Sequence, residues 1–184
     1  MKYIIFFTIL IIIQWVIFLD IIELRCKKIV IKNIKSIELV KKYYIKQYCA
    51  LICIEMIFFT GFRALDVGVD NGTYLAALEY YKGLTFKEIF TAKLVYPFDF
   101  EFGYFFLVKL CAFLNFNDTA FLLLISIIIY VPLFSFIYKN SHNPLISIIV
   151  YFTFGFFGYS IGLFRQMIAM SICLLAVSYL KEKR

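Results

Sequence analysis

Two arginines stand at the edges of apolar runs far apart in the chain, Arg63 in "GFRALDVGVDNGTY" and Arg165 in "GLFRQMIAMS". A guanidinium stays charged and presents a planar fork that can grip two oxygens of a phosphate or carboxylate. Two of them on one face, one from each half of the chain, could hold a diphosphate. Gly68 and Gly72 allow a tight turn between Arg63 and Asp70. Asp70 or Asp66 could then serve as an acid–base group or merely orient an arginine. Asn71 or Asp70 could equally be no more than a cap for a helix over 73–82. Glu101, in "FEFGY", is a further carboxylate at an apolar edge. It could deprotonate a sugar hydroxyl or be an ordinary interfacial acid. Each arginine taken singly also has a plain explanation, because Lys and Arg at the ends of apolar helices commonly reach to the interface as anchors.

The elements that must position these residues are apolar. The chain is 64% hydrophobic and 21% aromatic, whereas a soluble domain is about 45–50% apolar. The excess is concentrated in runs over residues 3–19, 45–60, 102–114, 119–138, 145–162 and 164–180. This predicts an all-α, polytopic membrane bundle of about five or six segments. As a helix, the first run rises about 25 Å, close to the hydrocarbon thickness. No small-x-small cleavage site follows it, so it reads as a retained span rather than a signal peptide. The 102–114 run is short and carries Lys109, while 145–162 contains Gly155, Gly158 and Gly162, and Pro132 predicts a kink in 119–138. Glu55 lies inside the second run; such an acid faces a bundle interior or a cavity, paired with a neighbouring helix or functional.

The formal charge of +7 comes largely from one place. Between residues 24 and 46 stand Arg25, Lys27, Lys28, Lys32, Lys35, Lys41, Lys42 and Lys46, against Glu38 alone. Beside an apolar run this is a cytoplasmic orientation signal, not a nucleic-acid patch. The segment can also lie on an anionic leaflet. The N-terminus is then outside, and the second span delivers Arg63 and Asp70 to the outer face. If every run crossed, the closing "KEKR" would also end outside, against the same rule. One run must therefore be re-entrant or stay in the outer half. Residues 102–114 are the best candidate and 145–162 the next; either choice puts Arg165 on the side of Arg63. Within the outer loop, "TYLAALEYYK" sets Tyr74, Leu75, Leu78 and Tyr81 on one helical face that can lie in the interface. "TFKE", residues 85–88, has the form of a capping box and predicts a second short helix, with Pro97 ending the region. Cys49 and Cys53 share a helix face as packing residues. With a single His142, nothing in the chain predicts a metal site or another cofactor.

Three stretches, "FRALDVGVDNGTY" (62–74), "FEFGYFFL" (100–107) and "LFRQMIAMSICLLAVSYLKEK" (163–183), resemble the EpsG family of bacterial membrane proteins, relatives of the Wzy polymerases of surface polysaccharide assembly. The resemblance implies a multi-pass protein of the bacterial cell (inner) membrane that works on its outer face. Its substrates would be oligosaccharide repeats linked through diphosphate to a polyprenyl carrier, and its partners the bilayer and other polysaccharide-assembly membrane proteins, with no nucleic acid. The positions that match the family pattern are Arg63, Gly68, Asp70, Tyr74, Glu101, Gly103, Tyr104, Arg165 and Gln166. Of these, Asp70 and Glu101 are the expected catalytic groups and the rest the expected substrate-binding ones. The alternative is a non-enzymatic membrane protein, a transporter subunit or an assembly scaffold, in which Glu55 and Lys109 are bundle-interior charges. Relatives of this kind continue past the Arg-Gln span with further spans and a second outer loop. The chain stops at Arg184 and is expected to be an N-terminal portion that lacks part of its acceptor site.

Overall fold

The computed structural model of the chain describes residues 2–29, 34–85, 98 and 100–182, and all regular structure among them is helical. The elements are α1 (Lys2–Ile29), α2 (Ile34–Gly61), α3 (Asn71–Lys82), α4 (Phe102–Phe113), α5 (Asp118–Asn140), α6 (Pro144–Thr153), α7 (Phe156–Gly162) and α8 (Phe164–Glu182). The short helix expected to start at the 85–88 capping box lies outside the described residues.

Local chemistry fixes several boundaries. Asn117 and Asn143 cap α5 and α6 through their side-chain oxygens, which accept from the amides of Ala120 and of Leu145 and Ile146. Pro144 follows as the first residue of α6, where its missing N–H costs nothing. Gly155, at φ 82°, supplies the left-handed residue that breaks α6 from α7. The helix α5 continues through Pro132. The helix α2 runs unbroken from the basic stretch into the apolar one, so Lys41, Lys42 and Lys46 are exposed on turns of the same helix. They do not form a separate surface segment.

The core is built on α2, α5 and α8. At the C-terminal end of α2, the Thr60 hydroxyl donates to Ser126 Oγ at 2.8 Å, and Gly61 lies against Leu123. That end therefore meets the N-terminal half of α5. The Ser171 hydroxyl donates to the Ile129 carbonyl at 3.0 Å, and Asn140 donates to Ser178 Oγ at 3.1 Å. These pairs advance together along both chains, so α8 runs parallel to α5. The α6–α7 pair returns the chain in between. Ser147 meets Ser141 at the far end, the Tyr151 hydroxyl bonds Ser160, and Gly162 comes against Val69 beside the C-terminus of α2. The near end thus gathers the C-termini of α2 and α7 and the N-termini of α5 and α8.

Among the described residues, two helices are long and apolar enough to cross a membrane, Asp118–Asn140 and Phe164–Lys181. The pair Pro144–Thr153 and Phe156–Gly162, bent by 62°, makes a third if it is one span. This is an all-helical membrane-type architecture with fewer qualifying spans than the apolar runs predict. The helix α4 has only 12 residues, about 18 Å of rise. The apolar half of α2 is diluted by Lys46, Gln47 and Glu55.

The two charges inside apolar helices have local partners. Gln14 on α1 donates to Glu55 Oε1 at 2.5 Å. Lys109, 4% exposed, donates to the carbonyls of Tyr81 (2.7 Å) and Leu84. It thereby satisfies acceptors at the C-terminal end of α3, where a cation is favoured. The pair α3–α4 is a unit of its own. Tyr74, Leu78 and Tyr81 are buried against Phe100, Tyr104 and Phe105. The face of α3 expected in the lipid interface is covered by protein, because α4 offers it a matching row of aromatic rings.

Candidate active site

The loop after α2 is held by Arg63. Its Nη1 donates to the Thr60 carbonyl at 2.6 Å and its Nε to that of Val67 at 3.1 Å. Its Nη2 donates to the Ile161 carbonyl at 3.1 Å and to Asn71 Oδ1 at 3.4 Å. The guanidinium also lies over the Phe164 ring, 5.1 Å from its centre. Every one of these acceptors is uncharged. Burial pushes the Arg63 pKa down to about 10, so the group remains a cation at neutral pH.

Gly68 makes the same loop possible. Its φ is +123°, and a Cβ there would stand 2.6 Å from the Ile161 carbonyl oxygen. The loop can press onto the end of α7 only because that position has no side chain. Asn71 completes the seam: it is 1% exposed, and its Nδ2 donates to the Leu65 carbonyl at 2.5 Å. Neither Asp70 nor Asn71 caps α3 with its side chain, although Asp70 occupies the N-cap position. The capping role allowed by the sequence is thus set aside, because the Asn71 amide is turned inward to the loop.

With the loop seated, three helix N-termini meet. Asp70 precedes α3, Glu101 precedes α4, and Arg165 is in the first turn of α8. Arg165 Nη1 donates to Glu101 Oε2 at 3.0 Å, and the guanidinium lies 5.3 Å from the centre of the Phe100 ring. The Tyr74 hydroxyl lies close enough to the same guanidinium to interact with it electrostatically. The Tyr74 ring stacks on Phe164 at 4.7 Å and meets Tyr104 edge-on at 5.3 Å. Its own amide and then the Arg165 guanidinium hold the Glu101 carboxyl below the usual carboxylate range. Tyr104 is 7% exposed, and its hydroxyl has no hydrogen-bond partner.

These residues line one cavity of about 700 Å³. Asp70, Tyr74, Glu101, Gly103, Tyr104, Arg165 and Gln166 all border it. Seven of the nine positions singled out in the sequence, from three stretches of chain, therefore share one space. Arg63 and Gly68 do not border it; they fasten the loop that carries Asp70 to its edge. Both arginines lie at the same end of the bundle, since Arg63 touches Ile161 and Phe164 next to Arg165. The lining combines one guanidinium with two carboxylates. Three helix N-termini, each equivalent to about half a positive charge, offset the carboxylates, and Arg63 adds a cation behind the wall.

Sequence reasoning missed Asn71 as a brace and Phe100 and Phe164 as platforms beneath the guanidiniums. A buried amide reads in sequence like any cap, and two phenylalanines among 23 carry no mark.

An all-helical membrane protein with a polar, arginine-bearing cavity at one end of its bundle is the class that these features define. The chain belongs to the EpsG family, whose family model matches residues 46–184. Neither a curated protein nor a solved structure matches it. The family match supports a polysaccharide-polymerase-like membrane protein.

Proposed function

We propose that the chain is a membrane glycosyltransferase-type polymerase, or a portion of one. It would join polyprenyl-diphosphate-linked oligosaccharide repeats into exopolysaccharide, capsule or O-antigen at the outer face of the bacterial cell (inner) membrane. The observation that carries this reading is the convergence of Asp70, Glu101 and Arg165 on one cavity, each at the start of a different helix. A scaffold has no need to bring them together. A transporter would bring the charges within its apolar helices together, whereas Glu55 and Lys109 have separate partners, Gln14 of α1 and the Tyr81 carbonyl.

In the reaction, a sugar hydroxyl of the acceptor attacks the anomeric carbon of the donor. The bond from that carbon to the diphosphate oxygen breaks, and the hydroxyl proton passes to a carboxylate. The departing polyprenyl diphosphate takes the electron pair. Arg165 and the helix N-termini stabilise the negative charge that develops there. Arg63, with only neutral partners, adds its field from behind. While Glu101 is tied to Arg165 it is a weak base, since a general base works best with a pKa near the working pH. A diphosphate that draws Arg165 away removes that influence and leaves Glu101 a stronger base. Asp70 is the second carboxylate within the cavity. Tyr74, Gly103, Tyr104 and Gln166 shape the space around the bound sugar and diphosphate.

The chain path supports a matching topology. The segment α4 begins beside Arg165 and gives way to α5 at the same end of the bundle, so α4 stays in the outer half. The α6–α7 pair then crosses as a broken span, and α8 returns the chain to the cytoplasmic side, with Lys181 in its last turn. The test is polymer production in a cell that lacks its own polymerase. Arg165→Ala and Glu101→Gln should each abolish long polymer while the protein remains at wild-type level in the membrane. Normal polymer from both variants would end the proposal.

A further inference from the structure

The cavity does not stop at its polar mouth. Below Arg165, α8 presents Ile168, Ala169 and Ile172 to it, and α4 presents Leu107 and Leu110 further along its own axis; Ile128 of α5 also lines it. On α8 these residues stand three, four and seven positions after Arg165, and on α4 Leu107 and Leu110 stand four and seven after Gly103, so each set is a single helical face. From Arg165 to Ile172 the wall runs about 10 Å along α8, and from Gly103 to Leu110 about 10 Å along α4. Leu110 and Ile172 are 40% and 56% exposed, so the lower end of the space opens sideways at the α4–α8 edge. Ala169 is the smallest residue on the α8 wall, and it is exposed.

We propose that the groove between α4 and α8 holds the first part of the isoprenoid chain of the diphosphate lipid, and that the lipid enters sideways through that edge. The inference rests on the proposed function for its headgroup, and it assigns the tail a place that the headgroup reading does not require. The occupant follows from continuity and charge. One space joins a cationic guanidinium and helix N-termini to an apolar trough directly beneath them. An amphiphile with a compact anionic head and an unbranching path for its hydrocarbon matches both ends at once. A free nucleotide sugar would leave the trough unfilled, and a neutral lipid would bring no anion to exchange with Glu101 at Arg165.

The test uses a polyprenyl diphosphate that carries a diazirine on its first isoprene units, photolysed with the protein in membranes and mapped by mass spectrometry. Labels should fall on Leu107, Leu110, Ala169 and Ile172. Unlabelled polyprenyl diphosphate should compete them away, and phosphatidylglycerol should not. Ala169→Phe, which fills the trough from an exposed position, should lower the competed label about tenfold, the factor carried by 1.4 kcal/mol. Ile127→Phe, on an exposed apolar position of α5 that does not border the cavity, should leave it unchanged. Competed labels that depend on Arg165 but fall on other helices would overturn the tail groove and keep the headgroup site. Labels on these residues that phosphatidylglycerol competes equally would mean an ordinary lipid-facing surface and would also overturn it. The absence of any competed label would remove the proposed function together with the groove.

Discussion

Arg63 and Arg165 look alike in the sequence and differ in the structure. Both stand at the end of an apolar run, both lie over a phenylalanine ring, and both are at one end of the bundle. Arg63 directs its donors at three backbone carbonyls and a buried amide, and so converts a loop into a fixed wall. Arg165 meets a carboxylate and a phenol at the edge of a cavity. Carbonyls that belong to the fold leave a guanidinium no reason to move. A carboxylate can exchange places with a ligand anion of the same charge. The lesson is that the partners of a cation, more than its position at a span end, separate framework from chemistry.

The largest expected effect breaks that comparison in both directions. Arg165→Ala should reduce polymer yield by about 10²–10³, the range for loss of one preorganised donor to a developing anion. Its thermal stability in detergent should stay close to wild type, because an exposed ion pair contributes about 0–1 kcal/mol. Arg63→Ala should do the reverse first. It strands carbonyl and amide groups in a partly buried seam at about 1–3 kcal/mol each, so the folded fraction should fall. Arg63→Lys should fail to restore it, since one ammonium cannot span acceptors on two sides of the loop. Polymer analysis and thermal unfolding followed by size-exclusion chromatography would separate the two patterns. An Arg63→Ala protein as stable as wild type but unable to polymerise would move Arg63 from the framework to the site.

A pair of glycines sharpens the same contrast at smaller scale. At Gly68 a methyl group would clash with the Ile161 carbonyl and sit on a left-handed φ. Gly68→Ala should therefore cost about 1–3 kcal/mol of stability and lower the midpoint of thermal unfolding. At Gly103 a Cβ would meet nothing within 4 Å, although the residue borders the cavity. Gly103→Ala should leave stability within about 0.5–1 kcal/mol of wild type, and any loss of polymer would report on the width of the mouth. Equal destabilisation by the two changes would show that the loop seam is not where the cavity is braced.

How far the sequence reveals all this varies by residue. The apolar runs disclose the helices because burial in lipid or protein leaves long unbroken patterns. They do not disclose which runs cross, since that depends on where each end is tied: α4 is tied to α3 by Lys109 reaching the Tyr81 and Leu84 carbonyls and by its aromatic rings against Tyr74 and Tyr81. The cluster of Asp70, Glu101 and Arg165 is legible as residue types at run edges, and the family resemblance singles them out among nine matching positions, but the Arg165–Glu101 pairing is visible only in the structure. The division of labour between Arg63 and Arg165 is not legible. It is set by backbone carbonyls, and every residue has one, so no side-chain pattern announces which loop will turn its own toward a guanidinium. Asn71 is hidden for a similar reason: an amide in the first turn of a helix reads as a cap until the loop folds back and presents the Leu65 carbonyl to it.

Two smaller changes inside the cavity separate a wall from a working surface. The Tyr104 hydroxyl is buried without a partner, and such a group costs about 1–3 kcal/mol relative to one that is bonded. Tyr104→Phe removes the unmet hydroxyl and keeps the ring against Tyr74 and Phe100. Stability should be unchanged or raised, whereas polymer yield should fall severalfold if the hydroxyl meets bound substrate. A variant that is more stable and fully active would make Tyr104 part of the packing alone. The last contrast is in pH. The Glu101 carboxyl lies below its ordinary range in the folded chain, held there by its own amide and by Arg165. Its stabilising pairing is therefore complete above the ordinary carboxylate pKa and is lost only as the pH falls through the lower, folded value. Acidification into the ordinary carboxylate range should leave the Arg165–Glu101 pair closed, and Glu101→Gln should remove this acid sensitivity. The ion pair is exposed at 70% of the Glu101 side chain, so the change in stability should be small and should shrink further with added salt. A large, salt-independent loss near neutral pH would place the titrating group elsewhere and return Glu101 to the role of a surface acid.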